Sequence, residues 1–147
     1  MRGFSARSVT LKKAVELPYA DVLVIDDDEP VRSVMERVLV DAGYTVNSVE
    51  NGLLALTAIQ ESHYRAIVCD IRMPVVDGVR FHEYLASGFP ALANRVLFVT
   101  AVADEPKMAA YLAGSGCRVL EKPYELKSLV QEVAKLVGRA PRPGALL

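Results

Sequence analysis

The sequence predicts a doubly wound α/β fold, with a five-stranded parallel sheet and helices on both faces. Three observations carry that prediction. Residues 21–137 alternate short apolar runs with longer amphipathic ones five times over, the pattern of strand and helix units around a parallel sheet. The first apolar run, Val22-Leu23-Val24-Ile25, has no polar face, as a central strand covered from both sides requires. A chain of 147 residues, 52% hydrophobic and 24% charged, is long enough for one domain with a self-sufficient core.

Each element has its own local reason. The first strand runs into Asp26-Asp27-Asp28. The helix behind it carries Val31, Val34, Met35, Val38 and Leu39 at helical spacing, with Asp28 as N-cap, Pro30 in the first turn and Gly43 as its stop. Tyr44 to Val49 has the mixed polarity of an edge strand, and Asn51-Gly52 turns it into a helix holding Leu53, Leu56 and Ile59. The third strand, Ala66 to Cys69, ends on Asp70. A loop with Met73-Pro74 and an Asp77-Gly78 turn leads to a helix near Val79 to Ala86, and a polar, Pro-containing turn precedes a fourth strand from Arg95 to Thr100. A short helix near Lys107 to Ala113 stops at Gly114-Ser115-Gly116. The fifth strand is Cys117 to Leu120. Lys122-Pro123 then opens the last helix, whose stripe of Leu126, Leu129, Val130, Val133, Leu136 and Val137 ends at Gly138. The expected organisation is an extension over residues 1–20, a domain over 21–138 and a tail over 139–147. Val9, Leu11, Val15 and Leu17 give the extension the capacity for a short strand or helix against the body, and a loosely attached extension is expected.

Composition excludes several classes. The longest apolar runs fall far short of the roughly 18 residues of a membrane span, and no apolar stretch of about 7 to 15 residues near the N-terminus leads to a cleavage site. A cytoplasmic protein is expected. The two cysteines, Cys69 and Cys117, lack metal-ligand spacing and read as reduced, mostly buried thiols. The net charge of −1 hides a partition: the ends are basic and the body is acidic. An acidic body argues against direct nucleic-acid binding, which depends on clustered bases.

The reactive residues recur at strand ends: Asp26 and Asp27 after the first strand, Asp70 after the third, Thr100 at the end of the fourth, Lys122 after the fifth. In an open parallel sheet, ligands sit outside the carboxyl ends of the strands. Three converging carboxylates repel one another and favour a hard cation, Mg2+ or Mn2+. Lys122 adds a fixed positive charge and Thr100 a hydroxyl, both suited to the oxygens of a phosphoryl group, and an aspartate can itself hold that group as an acyl phosphate. No Walker A loop supports nucleotide binding.

The segments Val22-Leu23-Val24-Ile25-Asp26-Asp27, Asp70-Ile71-Arg72-Met73-Pro74, Asp77-Gly78, Val99-Thr100-Ala101 and Lys122-Pro123 together resemble the receiver domain of bacterial two-component response regulators, over about residues 20–138. The resemblance implies the strand order 2-1-3-4-5. It implies that Asp70 accepts a phosphoryl group from a histidine kinase or a histidine phosphotransfer protein, and that Asp26, Asp27, Asp70 and the backbone carbonyl of Arg72 hold Mg2+. It further implies that Thr100 and Lys122 contact the phosphoryl oxygens. The family signals through its fourth helix, fifth strand and fifth helix, which would also serve a homodimer. One position departs from the pattern: Val119 stands where the family commonly has an aromatic switch residue. Arg72 and Val102 lie where the family tunes loss of the phosphoryl group.

On this reading the chain is a stand-alone signalling domain and not an enzyme, apart from its own phosphorylation and dephosphorylation. Two other readings are open to the same residues. Asp26-Asp27-Asp28 after a strand fits a haloacid-dehalogenase-like phosphatase with Asp26 as nucleophile, although Glu121 and Glu125 flank Lys122 in the wrong context for that class. A receiver-like module that binds partners without phosphorylation is the other. His63 and His82 share no ligand spacing and read as surface or partly buried helix residues, and Cys69 as core.

Overall fold

The computed structural model describes residues 17–101 and 105–145. Val9, Leu11, Val15 and Val102 lie outside them. Five parallel strands, β1 (Tyr19–Ile25), β2 (Val46–Val49), β3 (His63–Asp70), β4 (Val96–Thr100) and β5 (Arg118–Glu121), form one sheet in the order β2-β1-β3-β4-β5. The helices are α1 (Glu29–Asp41), α2 (Gly52–Glu61), α3 (Gly78–Gly88), α4 (Pro106–Ser115) and α5 (Leu126–Val137). The doubly wound fold read from the sequence is the fold observed.

Period-two alternation sorts the strand residues into two cores. Val22, Val24, Ala66, Val68, Leu97 and Val99 face α1 and α5, where they meet Met35, Leu39, Leu129, Val133 and Val137. Leu23, Ile25, Ile67, Cys69, Val96 and Phe98 face the other way, onto Ala55 and Ile59 of α2, Phe81 and Leu85 of α3 and Leu112 of α4. Val22 to Ile25 are all fully buried, which explains why that run has no polar face.

Several boundaries differ from the expected ones. Strand β1 starts at Tyr19, inside the expected extension, because Tyr19 and Ala20 pair with His63 and Tyr64 of a β3 that is itself longer than its apolar run. His63 therefore opens a strand rather than lying on a helix. The turn before β4 contains a single helical turn, Pro90–Ala93, started by its proline. Asp77-Gly78 is more than a turn: the Asp77 carboxylate accepts the Arg80 N–H (2.8 Å) and caps α3, whose first residue is Gly78.

The stretch after Gly138, expected as a tail, is docked over its described residues. Arg139 bonds both carboxylate oxygens of Asp21 (2.7 and 3.3 Å) and the Gly43 carbonyl (3.3 Å). The Tyr44 hydroxyl donates to the Arg139 carbonyl (2.6 Å), and the Arg142 N–H donates to the Ala42 carbonyl (2.7 Å).

Candidate functional site

Strand register brings the acids together. Ile25 pairs with Cys69 and Asp70 with Val99, so β1, β3 and β4 end at one level and the residues at their ends share one crevice. Asp26, Asp27 and Asp70 each offer a carboxylate oxygen, and these oxygens lie within 4.8 Å of one another. Lys122, carried over the site by the loop after β5, places Nζ 3.5 Å from Asp70 Oδ2 and 3.9 Å from Asp26 Oδ2. Its N–H donates to the Thr100 carbonyl (2.9 Å), which ties that loop to the end of β4. Thr100 is buried there.

Asp26 is fully buried. Its Oδ1 accepts the Asp28 N–H (2.8 Å), and its backbone carbonyl accepts Arg32 Nη1 (2.7 Å). Among the described residues its Oδ2 has no hydrogen-bond partner. A buried carboxylate oxygen without a donor is costly, and burial, opposed by the Asp28 N–H and aggravated by Asp70, holds this carboxyl above its ordinary range. Burial also raises Asp70, against the attraction of Lys122 and the backbone N–H groups of Ile71 and Arg72. One lysine thus faces a set of acids that it does not neutralise. Tyr124, beside the same charges, has its phenol raised by burial and then by Asp26 and Asp70.

Three carboxylates, an unpartnered buried oxygen and no soft ligand make a donor set suited to a hard divalent cation. Asp27 is exposed and lines a groove of about 300 Å³ with Ile71, Arg72, Met73, Pro74, Asp77 and Met108. The Arg72 side chain turns outward to pair with Glu105 (2.5 Å). Val119 is half-buried in β5 opposite Phe98 and packs on the α3 side of the sheet.

Two supporting residues carry more than their sequence context suggested. A Cβ on Gly78 would stand 2.5 Å from the Asp70 carbonyl oxygen and 2.8 Å from Ile71 Cα, so only glycine lets α3 begin directly behind the acid. Val75 has φ 68° and sits in a tight turn closed by Val76 N–H to the Pro74 carbonyl (2.8 Å), a strained conformation for a β-branched residue. The phosphatase reading would need Asp26 to attack, but Asp26 is the most buried of the acids.

The chain is similar to proteins already characterised. The response regulator receiver domain model matches residues 22–134. The response regulator receiver protein CpdR of Brucella abortus (strain 2308) is 30% identical over 116 residues, 79% of this chain and 95% of that protein. The DNA-binding transcriptional regulator NtrC of Escherichia coli (strain K12) is 35% identical over 81% of this chain, which spans only 24% of that longer protein. Among solved structures, the receiver domain of the sensor histidine kinase PA1611 from Pseudomonas aeruginosa PAO1, with a magnesium ion coordinated in its active-site cleft, superposes with a TM-score of 0.71. It has 24% identity and covers 81% of this chain and 98% of that one.

Proposed function

The chain belongs to the response regulator receiver domain family, and on that premise we propose that it is a phosphoacceptor in which Asp70 receives the phosphoryl group of a phosphohistidine on a histidine kinase or phosphotransfer protein. The observation that carries this reading is the uncompensated acid cluster beside Lys122. An Asp70 oxygen attacks phosphorus, the P–N bond breaks and the imidazole of the donor leaves, so that the product is an acyl phosphate.

Asp26, Asp27 and Asp70, with the Arg72 backbone carbonyl, would hold Mg2+, or Mn2+ in its place. Bound there, the ion would offset the charge of the acids and of the incoming phosphoryl oxygens. Lys122 is already within reach of Asp70 and supplies one counter-charge. Thr100, at the end of β4, supplies a hydroxyl to the same oxygens. The Gly78 approach fixes the backbone from which Asp70 attacks.

The signal leaves through α4, β5 and α5, the surface on which a homodimer would also form. Val119 has no ring to move inward, so an output step here involves another residue of that surface. The downstream partner is a protein, and a cytoplasmic location belongs to the same proposal. Neither a binding-only module nor a haloacid-dehalogenase-like phosphatase is favoured by the family membership or by a full set of Asp26, Asp27, Asp70, Thr100 and Lys122.

The test is intact mass after incubation with acetyl phosphate and Mg2+. Wild type should gain one base-labile phosphoryl group, and Asp70→Asn none. An adduct on Asp70→Asn that is lost in Asp26→Asn would overturn the assignment in favour of Asp26.

A further inference from the structure

At the opposite end of the sheet from the acids, three side chains from different elements converge. His82 of α3 is buried, with Nδ1 2.7 Å from the Tyr111 hydroxyl of α4 and Nε2 2.9 Å from the Ala93 carbonyl. Cys117, just before β5, places its sulfur 3.3 Å from His82 Nε2 and 3.4 Å from the same carbonyl. The Cys117 N–H is held by the Ser115 hydroxyl (3.1 Å), which itself donates to the Leu112 carbonyl (2.7 Å). A nucleophile against an imidazole that a third group orients is the arrangement of an activated thiol.

We propose that Cys117, activated by His82, is a modification site that reacts with hydroperoxides. Within the same chain Cys69 is its internal contrast. Cys69 is fully buried, its thiol donates to the Asp70 carbonyl (3.2 Å), and burial pushes its pKa well above the ordinary value. Cys117 is half-buried. Burial alone would raise it, but the His82 contact and the Ser115 hydroxyl outweigh burial and hold the thiol below its ordinary value, while the Cys117 contact raises His82. The charge of Glu83 also favours the charged form of the imidazole. His82 and Tyr111 line a groove of about 650 Å³ between α3 and α4 that opens the imidazole side of the pair, and Cys117, only half-buried, keeps part of its own surface in solvent.

In the ion-paired form, Nε2–H faces the thiolate and the Ala93 carbonyl, and Nδ1–H donates to the Tyr111 oxygen. The thiolate attacks one peroxide oxygen. The S–O bond forms, the O–O bond breaks, and the departing hydroxide takes the imidazolium proton and leaves as water. Sulfur is oxidised to a sulfenic acid and the hydroperoxide is reduced.

The experiment treats the full chain with a small excess of hydrogen peroxide in the presence of a cyclic 1,3-diketone that traps sulfenic acids, and maps the label by peptide mass. The pH dependence of Cys117 alkylation by iodoacetamide is measured in parallel. The label should fall on Cys117 and not on Cys69, and the alkylation midpoint should lie below the ordinary thiol value of about 8.5. His82→Gln should raise that midpoint and slow oxidation near neutral pH by about tenfold. Tyr111→Phe, which keeps the ring, should give an intermediate shift. If His82→Gln does not fold, the wild-type midpoint decides. A midpoint at or above about 8.5 is what a purely structural thiol–imidazole contact gives, and it would overturn the proposal. So would peroxide labelling of Cys69 instead of Cys117.

Discussion

Asp21, near the start of β1, and Asp26, just past its end, stand five residues apart, both nearly or fully buried, and their environments are opposite. The Asp21 carboxylate, at the amino end of β1, accepts from Arg139 on both oxygens and from the Thr45 N–H on Oδ2 (2.9 Å), while the Asp21 N–H donates to the Thr45 hydroxyl (2.8 Å). The Arg139 bond and the Thr45 contacts hold its carboxyl below the ordinary value despite burial. Asp26, at the carboxyl end, keeps one oxygen without a donor beside two further acids, and burial holds it above the ordinary value. Burial of a carboxylate is therefore not by itself the mark of a functional site. The first acid fastens the end of the chain to the sheet. The second is left in need of a cation.

Four substitutions break or sharpen that contrast. Gly78→Ala should have the largest effect on folding, a loss of about 2 kcal/mol or more from the clash with Asp70 and Ile71. It should also lower the rate of Asp70 phosphorylation. Chemical denaturation followed by far-UV circular dichroism reads the first effect, since the chain has no Trp, and intact mass the second.

Asp26→Asn should stabilise the metal-free protein by about 1 kcal/mol at neutral pH by removing an uncompensated buried charge. Because the folded-state pKa of Asp26 is raised above 3.8, the folded chain binds more protons than the unfolded one across that interval. Its contribution to stability is greatest below the unfolded value and is lost as pH rises through the folded value. The gain in Asp26→Asn should therefore vanish towards acid pH in a denaturation series.

Asp21→Asn should act in the opposite sense and cost about 1 kcal/mol at neutral pH, discounted for the half-exposed Arg139. The folded-state pKa is lowered below 3.8, so the stabilisation is present above the unfolded value and lost as pH falls through the folded one. Wild type and Asp21→Asn should converge in stability at acid pH, where wild type and Asp26→Asn also converge from the other side. Val75→Gly should give the smallest change, a gain of about 0.5 kcal/mol, from relief of the positive φ net of glycine's extra entropy. Its melting temperature should rise slightly with Asp70 phosphorylation retained.

The two ends of the sheet were not equally legible in the sequence. The carboxyl end announces itself locally: a doubly buried strand must be apolar throughout, so an acid immediately after Val22 to Ile25 or Ala66 to Cys69 stands out, and the sheet then brings such acids together. The amino end depends on partners that no local pattern links. Asp21 and Arg139 are 118 residues apart, and Arg139 sits in a Pro- and Gly-rich stretch that reads as tail. His82, Tyr111 and Cys117 are hidden in the same way, since each is unremarkable in its own element until α3, α4 and β5 pack. Gly78 lies between these cases. Its dipeptide signals a turn, whereas its steric role depends on where the end of β3 passes behind it.

The most direct measurement is the melting temperature of the wild-type chain and of Asp26→Asn, in chelator and across a Mg2+ titration at neutral pH. If the acids at the carboxyl end are held uncompensated for a cation, wild type should melt lower than the variant in chelator and rise with Mg2+ until it meets or passes it, while Asp26→Asn responds weakly. A wild-type melting temperature indifferent to Mg2+, or an equal rise in both proteins, would contradict that account.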